Sequence, residues 1–358
     1  MHKQLPKYIV IKNDIKNRIK TGYYEIGDYI PSEKSLAENY SVSLITIKKA
    51  LEILVNEGLL KKQKGKGTFV CEPPSTHKNT SIDYVEFIVA MGSEFDGNLT
   101  RILKGCEEYL STKGKSLIIK YSNNDIDVEA REIENVIERG INGLLIFSND
   151  PDKNIRYLLE LRKIGTPFVL IDRFTKKMSV SFVTSDNMDG VYRATEKLVS
   201  IGHTKIALLS LNKYKGISSV IDRGSGYLSA MKNLCSPDIK PCIYIQEENG
   251  IELLTNEIQK GGISAVISVC GDLTTDFINA CCQKNIEIPK DVSIISFDEP
   301  KVKFQNCDIS IIEQNFTKMG YEGARILCHS IDNMEYGCSK NYIPTRLILR
   351  DSVRPYSK

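Results

Sequence analysis

Across the first 70 residues the apolar positions fall at helical spacing, then give way to two short runs with strand character. Ile11, Ile15 and Ile19 recur every fourth residue after Pro6, a residue suited to a helix start, and Gly22 closes the segment. Pro31 extends the backbone before Ser32, whose hydroxyl can cap a helix over residues 33–40 with Leu36 and Ala37 inward. Ser41-Val42-Ser43 makes a turn, and Ser43 can cap the next helix, residues 44–56. Ile47, Ala50, Leu51 and Leu54 form its apolar stripe, which leaves Leu44, Ile45, Lys48 and Lys49 wholly or partly outside. Gly58 ends it, and residues 59–63 and 68–70 read as strands around the tip Lys64-Gly65-Lys66-Gly67. Two helices about a sharp turn, followed by a basic hairpin, can present the second helix to a DNA major groove with a wing beside it. The tip glycines allow close approach to phosphates, and the lysines neutralise them.

Residues 71–81 read as a linker, because two prolines and polar neighbours leave nothing to bury. From residue 82 the texture changes to strand and helix in alternation. The first round gives strands at 85–90, 115–121, 143–147 and 167–171, with helices at 98–112, 127–139 and 155–163. The second gives strands at 205–211, 243–245, 265–269 and 292–296, with helices at 188–200, 223–234, 251–260 and 273–284. Repeated βα units imply parallel sheets covered on both faces. Two rounds imply two lobes, and a last helix at 317–330 with a strand near 346–349 is expected to return to the first. The predicted architecture is thus α/β: a winged helix-turn-helix at 1–70, a linker at 71–81, and a two-lobed body at 82–358. Ligands of parallel sheets collect at the carboxyl ends of strands, here the cleft between lobes.

Charge sharpens the division. Residues 1–70 carry 13 Lys or Arg against 7 Asp or Glu, whereas the remainder carries 35 against 38. A basic head on a mildly acidic body points the head alone at a polyanion. No apolar run approaches the roughly 20 residues that span a bilayer, and the charged N-terminus has no signal-peptide pattern, so a cytoplasmic protein without membrane contact is expected. The ten cysteines form no CxxC spacing and are expected to be reduced, buried or partly buried residues rather than metal ligands. No nucleophile–base pair emerges, so neither catalytic residues nor a cofactor are assigned. His203, in IGHTKIAL, reads as structural.

Carboxylates and arginines stand where a cleft would be lined. Asp172-Arg173 follows the strand PFVLI, Asp298-Glu299 follows SIISF, and Arg223 precedes Tyr227 by four residues. Carboxylates accept hydrogen bonds from vicinal hydroxyls and guanidinium donates two in parallel, which divides the work of holding a sugar.

The head resembles the GntR family of bacterial transcription factors through Gly27-Asp28, Pro31-Ser32-Glu33, Leu36-Ala37, Tyr40, Val42-Ser43, Thr46, Ala50-Leu51, Leu54, Glu57-Gly58-Leu59 and Gly65-Lys66-Gly67-Thr68-Phe69-Val70. The resemblance implies DNA contacts from Lys7, Ser32, Glu33, Lys34, Ser43, Leu44, Ile45, Thr46, Lys48, Lys64, Lys66 and Gly67. One departure stands out. The family commonly has Arg after the turn serine, and here Leu44-Ile45 follows, which can meet thymine methyls or exclude water but cannot read guanine.

The body resembles the LacI/GalR effector domain through Asp172-Arg173, Ser185-Asp186-Asn187, Ile201-Gly202-His203, Arg223, Gly226-Tyr227, Ile288-Pro289 and the run Asp291 to Asp298. It implies effector contacts from Asp172, Arg223 and Asp298, with Asp96, Gln314 and Arg173 as additions, the last favouring a phosphate. Cys270-Gly271-Asp272 stands in place of the usual Asn-Asp, so the Asn that would bridge hydroxyls is missing or its role passes to Asp272. The combination implies a homodimeric repressor that leaves double-stranded operator DNA when a monosaccharide binds, L-arabinose or a related pentose or deoxyhexose. A sugar phosphate or purine effector is the alternative, as is a sugar-binding protein without a regulatory role.

Overall fold

The computed structural model describes residues 7–56, 58–63, 65–71, 84–91, 97–139, 141, 143–211, 216–333 and 338–356. Asp96, Lys64 and the linker beyond Cys71 lie outside the described residues.

The head is built from α1 (Lys7–Lys20), α2 (Glu33–Asn39), α3 (Leu44–Asn56), β1 (Leu60–Gln63) and β2 (Gly67–Val70). Ser32 caps α2, its Oγ accepting from the Ser35 N–H at 3.1 Å. Ile47, Ala50, Leu51 and Leu54 of α3 are buried against Ile11 and Ile15 of α1, so the apolar stripe becomes the core of the head. The hairpin β1–β2 is antiparallel, with Leu60 opposite Val70 and Gln63 opposite Gly67.

The body contains two six-stranded sheets of matching order. The first runs β13 (Lys340–Ile343), β7 (Ser181–Ser185), β6 (Phe168–Ile171), β5 (Leu144–Phe147), β3 (Tyr84–Val89) and β4 (Ser116–Tyr121). The second runs β14 (Arg346–Ile348), β12 (Ser310–Glu313), β11 (Ser293–Phe297), β10 (Ala265–Ser268), β8 (Ile206–Ser210) and β9 (Cys242–Ile245). The central strands are wholly buried, as parallel strands covered on both faces must be. In the first lobe α4 (Gly97–Thr112) and α11 (Phe316–Asn333) cover one face, and α5 (Ile126–Arg139) and α6 (Ile155–Ile164) the other. The second is covered by α7 (Asn187–Ser200), α8 (Ser218–Leu234), α9 (Gly250–Gln259) and α10 (Gly271–Gln283).

The chain passes between lobes at 185–187, 313–316 and 343–346. The last passage corrects one expectation. The strand near 346–349 does not return to the first lobe: β14 pairs antiparallel with β12 in the second sheet, Ile311 facing Ile348. It is β13 that joins the first lobe, parallel to β7. The helix α11 does return, and it crosses α4 at very short range. A Cβ placed on Gly105 would lie 1.9 Å from the Thr317 carbonyl oxygen, and one on Gly320 1.9 Å from that of Ile102.

The head rests on the first lobe, where Asn13 Nδ2 donates to the Ile164 carbonyl at the end of α6, 3.1 Å. All ten cysteines are free, and Cys282 and Cys338 are exposed, contrary to the expectation that each would be at least partly buried. Both stand near helix or strand ends, where a small residue is not forced inward. Among the described residues no helix is long and apolar enough to cross a membrane.

Candidate functional site

Two surfaces carry the candidate chemistry. On the head, the start of α3 projects Leu44, 47% exposed, and Ile45, 79% exposed, beside the exposed Lys48. Lys7, Lys34 and Lys66 are also exposed. Other expected DNA contacts are occupied within the head. Glu33 is bound by Lys62 of the wing, 2.8 Å. Ser43 Oγ accepts from the Thr46 N–H at 3.3 Å and shares a 2.9 Å bond with Thr46 Oγ1. The Ser32 hydroxyl serves α2, whereas Gly67, the first residue of β2, is exposed beside Tyr29.

In the body, the carboxyl ends of the strands open on a cleft of about 920 Å³. Asp172 leaves β6 and Asp298 leaves β11, the same position in each sheet. Both have left-handed backbone, φ 64° and 68°. Both amides donate to the adjacent strand, Asp172 to Val183 at 2.8 Å and Asp298 to Ile312 at 3.1 Å. That positive φ turns the carboxylates from the strand direction into the cleft, at a strain that Asp tolerates better than most residues. Their satisfaction differs. Asp298 Oδ2 accepts from Gln314 Nε2 at 2.6 Å. Asp172 Oδ1 is buried and has no hydrogen-bond partner among the described residues.

Arg223, only 6% exposed, lies on α8 with its guanidinium 3.5 Å from the Phe297 ring centroid. Its Nε donates to Asn187 Oδ1 at 2.8 Å and its Nη1 to the Val269 carbonyl at 2.6 Å. Burial pushes its pKa below the ordinary value, and Asp298 and then Asp172 pull it back. Arginine keeps its proton in such a site. Arg173 turns away from an anion-binding pose, donating to the Ser148 and Asn149 carbonyls at 3.2 and 2.8 Å. Asp272 stands at the rim, 73% exposed and paired with Lys301 at 3.1 Å.

Gln314 has both ends of its amide engaged, donating to Asp298 and accepting from Ser185 Oγ at 2.6 Å. It stands in one interlobe passage and Ser185 in another, so it ties the hinge to a cleft carboxylate. The sequence reading did not pick out Asn123, Asn124, Ser219 or Cys270 as wall residues. The available signal was the Asn-Asn pair one residue after β4, since Asn accepts the left-handed conformation that both adopt. Burial pushes the Cys270 thiol up, against weaker opposing pulls from the Leu273 backbone and Arg223, so it offers a neutral wall. Among the described residues no His, Cys, Asp or Glu group could hold a metal ion.

His203 is buried in the second lobe, Nδ1 bonded to Ser264 Oγ at 2.9 Å and Nε2 to the Arg354 carbonyl at 3.0 Å. It pins the C-terminal segment and lies outside the residues lining the cleft.

Residues 7–70 match the gntR family of bacterial regulatory proteins, and residues 195–353 match the periplasmic binding protein-like domain. The chain thus joins a gntR-type helix-turn-helix head to a periplasmic-binding-protein-like body. The regulator is 28% identical to the arabinose metabolism transcriptional repressor of Geobacillus stearothermophilus, over 98% of this chain and 99% of that one. It is 26% identical to the protein of that name from Halalkalibacterium halodurans, over 91% and 89%. A LacI family transcriptional regulator from Enterococcus faecium, solved with bound ribose, superposes with a TM-score of 0.62 at 22% identity, covering 77% of this chain and all of that one, which shows the shared fold of the body.

Proposed function

We propose that the regulator is a repressor that binds operator DNA through its head and leaves it when a neutral monosaccharide enters the cleft. The observation that carries this reading is Asp172 Oδ1, buried and unpartnered on the cleft wall. Leaving a buried acceptor unmade costs on the order of 1–3 kcal/mol. Asp172 lines the cleft, so a ligand hydroxyl that reaches this oxygen as the lobes close recovers that cost, which favours a polyol in the cleft. The cations argue against a sugar phosphate. Of the cations that line the cleft, Arg173 is held by two carbonyls, Arg223 by Asn187 and the Val269 carbonyl, and Lys301 by Asp272, so an anion would have to compete with existing partners.

Asp172 comes from the first lobe, and Asp298 and Arg223 from the second, so one sugar can bridge the lobes and favour a closed state. Lys7, Lys34, Lys48, Lys64 and Lys66 serve as phosphate contacts, Leu44 and Ile45 face the groove, and Asp96 and Asp272 serve as further effector contacts. The unit at 1–70 acts as the DNA-binding domain, 71–81 as linker and 82–358 as effector and dimerisation domain. A homodimer in the cytoplasm then sets two heads on successive half-sites about one helical turn, or a multiple of it, apart. The names of the two arabinose metabolism repressors support arabinose as the first sugar to try.

Calorimetric titration with L-arabinose, other pentoses, deoxyhexoses and sugar phosphates tests the ligand, and release of operator-like DNA by the same compounds tests the coupling. Binding of a neutral pentose with loss of DNA affinity is expected. Tight binding of a sugar phosphate and none of the neutral sugars would overturn it.

A further inference from the structure

The base-reading end of α3 has an unusual inventory. Its two most prominent side chains, Leu44 and Ile45, are aliphatic and exposed. The polar groups around them are committed. The Ser43 and Thr46 hydroxyls bond each other, and Ser43 Oγ also accepts the Thr46 N–H. Glu33 is bound by Lys62. Lys49 lies over the Tyr8 ring, 4.1 Å from its centroid, and so turns toward α1. Lys48 and Lys49 are both exposed, and of the two Lys48 is the one not drawn over the Tyr8 ring.

In the major groove, every base pair offers polar edge atoms, but only thymine adds an apolar group, the 5-methyl. An aliphatic side chain pressed on a guanine, cytosine or adenine edge strips water from polar atoms and returns no hydrogen bond, which is unfavourable. Pressed on a thymine methyl, it buries carbon against carbon. We propose that Leu44 and Ile45 are the specificity-determining residues of the head, and that they select thymine in each half-site through its 5-methyl group. Specificity then arises from apolar contact and exclusion, while Lys48 and the wing lysines supply the sequence-independent phosphate grip. This inference rests on the reading of the head as a DNA-binding module.

The test uses the full-length protein and a random-sequence duplex pool, from which binding sites are enriched. Each thymidine of an enriched half-site is then replaced singly by deoxyuridine, which removes the methyl and leaves all base pairing intact. Affinity is read by fluorescence anisotropy. One or two positions per half-site are expected to lose roughly three- to tenfold, the scale of burying one methyl group. Ile45→Ala and Leu44→Ala should each abolish the penalty at one of those positions while keeping the salt dependence of binding. Both residues are exposed and Ala favours helix, so the fold of the head is not at stake. An enriched duplex indifferent to deoxyuridine overturns the inference alone, as does a penalty that survives both substitutions. Failure to enrich any duplex overturns it together with the DNA-binding reading.

Discussion

Asp172 illustrates how far a residue can be read before it is seen. A carboxylate directly after an apolar strand was legible, and so was Asp298 in the second round. What could not be read was their inequality. Asp298 is bound by Gln314, 16 residues later, whereas Asp172 Oδ1 has no partner among the described residues and its neighbour Arg173 is drawn off to carbonyls 24 and 25 residues earlier. Such pairing is set by the meeting of strand ends, which spacing does not encode. Asp172→Asn is expected to weaken sugar binding by at least about tenfold, the scale of one lost hydrogen bond to a charged acceptor. Asn tolerates positive φ, so thermal stability should stay level or rise, and calorimetry together with a melting curve separates the two effects. His203 makes a pH prediction. Burial lowers its pKa from the ordinary 6.5. Below that value the unfolded chain takes up a proton that the folded chain refuses, so stability is full above it and is lost as pH falls toward the depressed folded pKa. Between about pH 7.5 and about pH 5.5, His203→Gln should show a smaller drop in urea midpoint than the parent; equal drops would assign the pH dependence elsewhere.

Elements with a long apolar period were legible almost to the residue, and α3 begins and ends where the stripe and its capping serine place it. The strands β7, β12 and β13 were not, because they are four or five residues long and their sequences, such as SFVTS, owe their extended form to neighbours already in the sheet. The start of α8 was also missed: SSVID has weak helical signal, and its Ser218 hydroxyl is held by the Phe174 N–H of the other lobe at 2.9 Å. Helix contacts give the clearest tests at this scale. Gly105→Ala or Gly320→Ala drives a methyl into the backbone of the facing helix, and each should destabilise by about 1–3 kcal/mol or more, as overpacking does. Gly224 sits inside α8 with nothing within 4 Å of its missing Cβ. Gly224→Ala should stabilise by about 0.5–1 kcal/mol through helix propensity. Chemical denaturation of the three variants checks both signs.

At the scale of the molecule, the duplicated order of two sheets follows from two rounds of βα units, and the cleft follows from the sheets. The hinge did not show itself, because its three passages are separated by more than a hundred residues of chain at the widest. Gln314 joins two of them to Asp298. Gln314→Leu keeps the volume and removes both bonds, so DNA binding should persist while its release by sugar shrinks, eroding a coupling of about 1–3 kcal/mol. Operator titrations with and without pentose measure this, and undiminished release at normal sugar affinity would exclude a hinge role. The contact between Asn13 and Ile164 gives the machine a polarity. The head takes its bearings from the lobe that holds Asp172, not from the lobe that holds Arg223 and Asp298. A molecule that satisfied the second lobe and left Asp172 bare would occupy the cleft and leave the head where it stood. Such a compound would be an antagonist, blocking the natural inducer while the operator stays silenced.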